Sequence, residues 1–304
     1  MKNLFQQTSS RWVKYSEYEV KESADGMRHI TPAPKAKPTV YDPLKDTDAL
    51  VVDALNVGML QMGRNDKSAV QAALMEFVHK YGLLGFISAL PTTPSFMEYE
   101  AVFMPTNPFI RAESMTIDEY VALFFPFEKP EFEKRGNTII FQTEADGKLT
   151  VPAVTFKDKP QAMTMSFEQD YAERYDWLLL QFKDWAFTFL SSMLYYEDFD
   201  KLSESEKNTF RLGMSAFGGI APTYHIELLD RPTIVWDFYS LLLGIQTMFG
   251  FTLTDEANPL RSCRHCQKMF IAKHPNAAFC SPRCKNQHNV YKSRAKKTEE
   301  DKEA

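Results

Sequence analysis

Cys263-Arg264-His265-Cys266 and Cys280-Ser281-Pro282-Arg283-Cys284 stand thirteen residues apart and hold all four cysteines of the chain. The first pair has C-x2-C spacing and the second C-x3-C. Thiolates so close in sequence reach one ion from a single turn of backbone, and two such pairs supply the tetrahedral sulfur cage that Zn2+ prefers. Four thiolates leave no coordination position for a substrate, so one zinc ion here is structural rather than catalytic. Met269-Phe270-Ile271 reads as a short strand after the first pair. Ser281 is a good N-cap, and Pro282 suits the first helical position because its missing N–H would be unpaired there anyway. Cys284 then falls in the first turn of a helix running to about Lys297. Knuckle, hairpin and ligands at a helix start make a treble-clef-like module over 258–298.

Charge separates the same segment from the rest. Residues 257–298 hold ten Lys/Arg and no Asp/Glu, whereas residues 1–256 hold 24 Lys/Arg against 36 Asp/Glu. The net charge of −5 therefore conceals a basic module joined to an acidic body. Such a module favours anionic partners. Arg264, Lys268, Arg283 and Lys285 also offset the formal −2 of a tetrathiolate zinc site.

Outside the module the pattern is that of a mixed fold with 44% apolar and 25% charged residues. Alternation from Arg11 to Ser23 predicts an edge strand, and the prolines of 31–43 predict an extended connector. Apolar spacing predicts helices over Asp46–Met62 and Asp66–Tyr81, the second closed by Gly82. Thr116-Ile117-Asp118-Glu119 is a capping box. Residues 137–155 read as a hairpin turning at Asp146-Gly147. The strongest helical pattern runs from about Phe167 to Tyr196, and its aromatic face belongs in a core. A helix over Ser203–Phe217, strands over Thr223–Leu229 and Thr233–Trp236, and an all-round apolar helix over Ser240–Phe249 follow. The fold class expected is α+β: a mainly helical body with a small hairpin or sheet over 1–255, the zinc module, and a disordered acidic tail over 299–304. No apolar run reaches the roughly 18 residues of a membrane span. The N-terminal residues lack a secretory pattern and the cysteines need no disulfide, so a cytoplasmic setting is expected.

The cysteine segment resembles the C-terminal zinc finger of the CGNR family of bacterial and phage proteins. That pattern pairs C-x2-C and an apolar-aromatic strand with aromatic-Cys-Ser and then Cys-Gly-Asn-Arg. Here Phe279-Cys280-Ser281 and Cys284-Lys285-Asn286-Gln287 occupy those places, with Lys285 and Gln287 replacing Gly and Arg. The likeness covers about 35 residues. It implies a DNA-binding transcription regulator whose larger N-terminal domain senses a small-molecule or protein effector.

The residues themselves offer a nucleic-acid surface on the last helix. Lys285, Lys292 and Lys296 fall at i, i+7 and i+11, with Arg294 and Lys297 beside them and Arg283 at the helix start. Such cations suit phosphates, and Asn286, Gln287, His288 and Asn289 are candidates for base edges. The alternative is a protein-interaction or structural module whose basic face docks on an acidic surface. His225-Ile226-Glu227 upstream of C-x2-C is similar to the zinc deaminase pattern, but Ser262 replaces its proline and the second cysteine pair would be orphaned. His265, His274 and His288 are spare, because four thiolates already complete the site. No catalytic constellation, phosphate loop or dinucleotide fingerprint is present, so an enzyme is not expected.

Overall fold

Several helices of the body begin where the sequence offers a cap, although the longest, from Tyr175, does not. The computed structural model describes residues 7–63, 66–130, 160–215, 222–274 and 276–303, without the side chains of residues 197 and 295–303. Two short pieces open the chain, β1 (Thr8–Ser9) and β2 (Trp12–Tyr15), followed by β3 (Tyr18–Glu22), β4 (Arg28–Pro32) and β5 (Pro38–Tyr41). Asp46 then caps α1 (Thr47–Met62), accepting from the Ala49 N–H at 3.2 Å. Asp66 caps α2 (Lys67–Tyr81) in the same way, and Gly82 ends it at φ 87°, a conformation that disfavours residues with a Cβ.

The middle of the chain is a run of short elements. These are α3 (Phe86–Ala89), β6 (Ala101–Phe103), β7 (Ser114–Thr116), α4 (Ile117–Ala122), α5 (Gln161–Met165) and β8 (Glu173–Arg174). Thr116 and Glu119 form the reciprocal capping box expected at α4. Next come α6 (Tyr175–Glu197), α7 (Glu204–Ser215), the β9 (Thr223–Leu228) and β10 (Pro232–Asp237) hairpin, and α8 (Leu241–Leu253), whose N-cap is Ser240. The last elements are β11 (Leu260–Ser262), β12 (Met269–Ile271) and α9 (Pro282–Glu303). The fold is α+β, with helices around several small sheets ordered β1-β10-β9, β2-β5, β3-β4-β8, β6-β7 and β11-β12. No helix among the described residues is long and apolar enough to cross a membrane.

Helices α1 and α6 form the spine of the core. They meet at Gly58, where an added Cβ would stand 2.0 Å from the Phe182 carbonyl oxygen. Phe182, Trp185 and Leu178 are buried there, and Phe77 of α2 packs edge-on against Phe182 at 4.8 Å. Burying each such side chain contributes about 1.5–3 kcal/mol.

The structure corrects the sequence expectations at several points. The stretch 11–23 is not one edge strand but β2 and β3, and the adjacent Trp12 and Val13 are both buried, at 2% and 5% exposure. A strand covered on both faces loses the alternation that marks a half-exposed one. The proline-rich 31–43 is no mere connector: it holds β5, which pairs antiparallel with β2 (Val13 opposite Val40). Pro38 stands first in that strand, where a missing donor is tolerated. The long aromatic helix starts at Tyr175 rather than Phe167, because Tyr171 and Glu173 are used by tertiary contacts. The terminal helix continues through Glu303, where a disordered tail is expected; its last turns contain neither Gly nor Pro to stop it. The hairpin expected over 137–155 lies outside the described residues.

Glu173 is fully buried and organises the loop after α2. Its carboxylate accepts from the backbone N–H groups of Leu84 (2.8 Å), Gly85 (2.5 Å) and Phe86 (2.9 Å), and from the Tyr171 hydroxyl at 2.7 Å. Gly85 is left-handed, at φ 78°, and a Cβ there would meet the Trp12 ring at 2.5 Å. Burial pushes the Glu173 carboxyl above its ordinary range, although the four hydrogen bonds oppose that shift. Replacing Glu173 by Ala strands three buried donors, and a loss on the order of 4 kcal/mol is expected in urea denaturation. The raised carboxyl also gives a sign. Its contribution is full below the unfolded value of about 4.3 and is lost as pH rises through the folded value. Glu173→Gln is therefore expected to flatten that part of the stability-against-pH profile; an unchanged slope counts against this account.

Candidate metal centre

The hairpin β11–β12 is the base of the site. Leu260 lies opposite Ile271 and Ser262 opposite Met269. Between the strands the chain folds into a tight knuckle: the Cys263 N–H donates to the Lys268 carbonyl and the Gln267 N–H to the Cys263 carbonyl, both at 2.9 Å. Gln267 sits at φ 60°, the one described non-glycine residue with positive φ. This left-handed step turns the chain back into β12. The Ser262 hydroxyl donates to the Gln267 carbonyl at 3.2 Å and secures the turn.

The second pair arrives from the other side. The Arg264 N–H donates to the Ala278 carbonyl at 3.0 Å, which lays the returning chain against the knuckle. The Cys280 N–H then points at the Cys263 sulfur, 3.4 Å away. Ser281 caps α9 as expected, its Oγ accepting from the Cys284 N–H at 3.2 Å. Cys284 therefore stands in the first helical turn with its sulfur turned to the other three.

The four sulfurs lie within 4.8 Å of one another, and among the described residues they form the group that can hold a metal ion. Cys266 and Cys280 sulfurs are 3.7 Å apart, and those of Cys280 and Cys284 are 3.5 Å apart. A tetrahedral ion with Zn–S bonds near 2.3 Å needs sulfurs about 3.8 Å apart, so the donor set fits zinc. The thiols also divide electrostatically. Burial pushes the Cys280 thiol up to about 12, and the neighbouring sulfurs add to that shift. Burial raises Cys266 as well. At Cys263 burial also acts upward, but backbone N–H groups of Cys266, Cys280 and His265 outweigh it and bring the thiol down to about 6. Protein groups alone thus lower the Cys263 thiol and raise those of Cys266 and Cys280. A divalent cation removes that conflict, since coordination deprotonates thiols outright.

The finger is tied to the body by Asn56 on α1. Its carboxamide accepts from the Met269 N–H at 2.7 Å and donates to the Met269 carbonyl at 3.4 Å. Met269 itself is 2% exposed and belongs to the main hydrophobic core. Sequence reasoning missed Asn56. Its one signal is a polar residue between Leu55 and Val57, which are both buried.

Helix α9 has two distinct sides. Toward the finger, His265 stacks on Tyr291 (5.7 Å, 19°) and contacts the Gln287 carboxamide at 3.1 Å, while His288 packs on Phe279. His265 and His288 are thus packing residues, and His274 is exposed outside the sulfur cluster. Away from it, Arg283, Lys285, Asn286, Asn289, Lys292 and Arg294 are exposed. Arg283, Lys285 and Lys292 make no ion pair with a described residue. Lys296 and Lys297 lie further along the same helix, and their side chains are outside the described residues. His225, in the deaminase-like triplet, is on the β9–β10 hairpin with its Nδ1 2.8 Å from Asp237, and it takes no part in the sulfur cluster.

Purified chain is expected to carry one zinc ion in native mass spectrometry, and Cys284→Ala to carry none. Because at least Cys280 must give up a proton on binding, zinc affinity should fall steeply as pH is lowered, which competition with a chromogenic chelator measures. A metal affinity independent of pH contradicts thiolate ligation.

No protein-family model, curated protein or solved structure matches this chain.

Proposed function

We propose that the chain is a zinc-dependent nucleic-acid-binding protein, and that it acts as a DNA-binding transcription regulator of the CGNR type. One observation carries this reading. A helix whose first turn holds a metal ligand presents Arg283, Lys285 and Lys292 to solvent, in a segment without carboxylates from 257 to 298. Lys285, Asn289 and Lys292 recur at i, i+4 and i+7, so one face offers two cations flanking a carboxamide. Cations contact phosphate, and carboxamides can pair with base edges in a groove. The metal has the structural role of fixing the helix, and the body is the part that would receive a small-molecule or protein effector. The setting proposed is cytoplasmic.

The alternative, a finger docking on its own acidic body, has support of a different kind. The hairpin does pack on α1 through Met269 and Asn56, but that contact is apolar and backbone-directed. It leaves the exposed cations of α9 uninvolved.

Duplex DNA titrated into the full chain at several salt concentrations should give a log–log slope of roughly −3 to −5, as three to five phosphate contacts require. Arg283→Gln/Lys285→Gln/Lys292→Gln should bring the slope toward zero by about 3 with zinc content unchanged. Salt-independent binding, or a variant with the parental slope, refutes the assignment. A parallel titration with duplex RNA separates DNA from RNA.

A further inference from the structure

A cleft of about 900 Å³ opens between the C-terminal end of α6 and the finger. Its lining is chemically divided. Met193 and Tyr196 of α6 supply an apolar and aromatic part, while Arg261 and Arg264 of the finger supply guanidinium groups, with Gln267 and Asn276 as amides. No carboxylate is among the described residues that line it. Arg261 and Arg264 are exposed and make no ion pair with a described residue.

Tyr196 is 75% exposed, and Tyr195 stands edge-on to it with ring centroids 5.2 Å apart. An exposed ring steadied by a neighbour is a platform on which a planar group can stack. Guanidinium groups match phosphate oxygens through paired N–H donors. An aromatic surface and arginines with no described carboxylate beside them in one cleft call for a ligand with both a flat π system and a phosphate.

We propose that this cleft binds a nucleotide, with its base on Tyr196 and its phosphate on Arg261 and Arg264. The nucleotide is either free or an unpaired unit of a single strand, since both carry the same chemistry. The site rests on the cleft and not on the basic face of α9, so it stands or falls apart from the duplex-binding reading.

Fluorescence anisotropy of the full chain with a labelled oligothymidylate, competed by AMP, GMP, CMP and UMP, tests it. The parent should bind the strand, the mononucleotides, or both. Displacement by mononucleotides identifies a free-nucleotide site, and strand binding without displacement identifies a strand site. Tyr196→Ala and Arg261→Gln/Arg264→Gln should each weaken binding about ten-fold or more, in line with the worth of a stacked base. Tyr196→Phe should retain it. Zinc content monitors folding of the arginine variant. A parent that binds neither probe overturns the proposal. So does parental affinity in Tyr196→Ala, or loss of binding in Tyr196→Phe equal to that in Tyr196→Ala.

Discussion

Three backbone N–H groups, from Leu84, Gly85 and Phe86, converge on one buried carboxylate, and the body is arranged around that meeting. A loop with left-handed glycines at both 82 and 85 cannot satisfy these donors by helix or sheet. Glu173 does so from across the chain. Neighbouring groups of the same loop reach outward. Its Leu83 carbonyl receives the Trp12 indole N–H, its Leu84 carbonyl the Leu242 N–H, and its Ile87 carbonyl the Tyr120 hydroxyl. The first strand pair, α4, β8 and α8 are therefore referred to one short segment.

From that hub the geometry passes to the finger through α1. Gly58 lets α1 press directly onto α6, and Asn56, two residues earlier, holds Met269 by both of its backbone groups. The acidic body and the basic module, so different in charge, thus share apolar core at Met269. Removing the finger would leave the Asn56 carboxamide without this partner and open that side of the core.

What the sequence reveals and what it hides divide along chain distance. The caps at Thr116 and Ser281 act within three residues and are found where the sequence places them, and the helices expected from Asp46, Asp66 and Ser240 have those residues as their N-caps. The cysteine spacing is local too, and the sulfurs meet as expected. Glu173 and Asn56 are illegible for the opposite reason. Their partners lie 87–89 and 213 residues away, and nothing near either residue betrays a backbone donor waiting elsewhere. The same logic explains the late start of α6: helical periodicity extends back through Tyr171, but the tertiary hydrogen bonds of Tyr171 and Glu173 outrank it. Strand β5 was obscured by prolines that in fact flank or open it.

Helix α9 spans 22 residues, a rod about 33 Å long, and contacts from Ser281 to Tyr291 hold its first half. A rod of that length turns about the sulfurs at its base with a long arm. A tilt of about 10° at the pivot carries the far tip about 6 Å. A small change of angle at the four sulfurs is thereby magnified into a large displacement of the distal end.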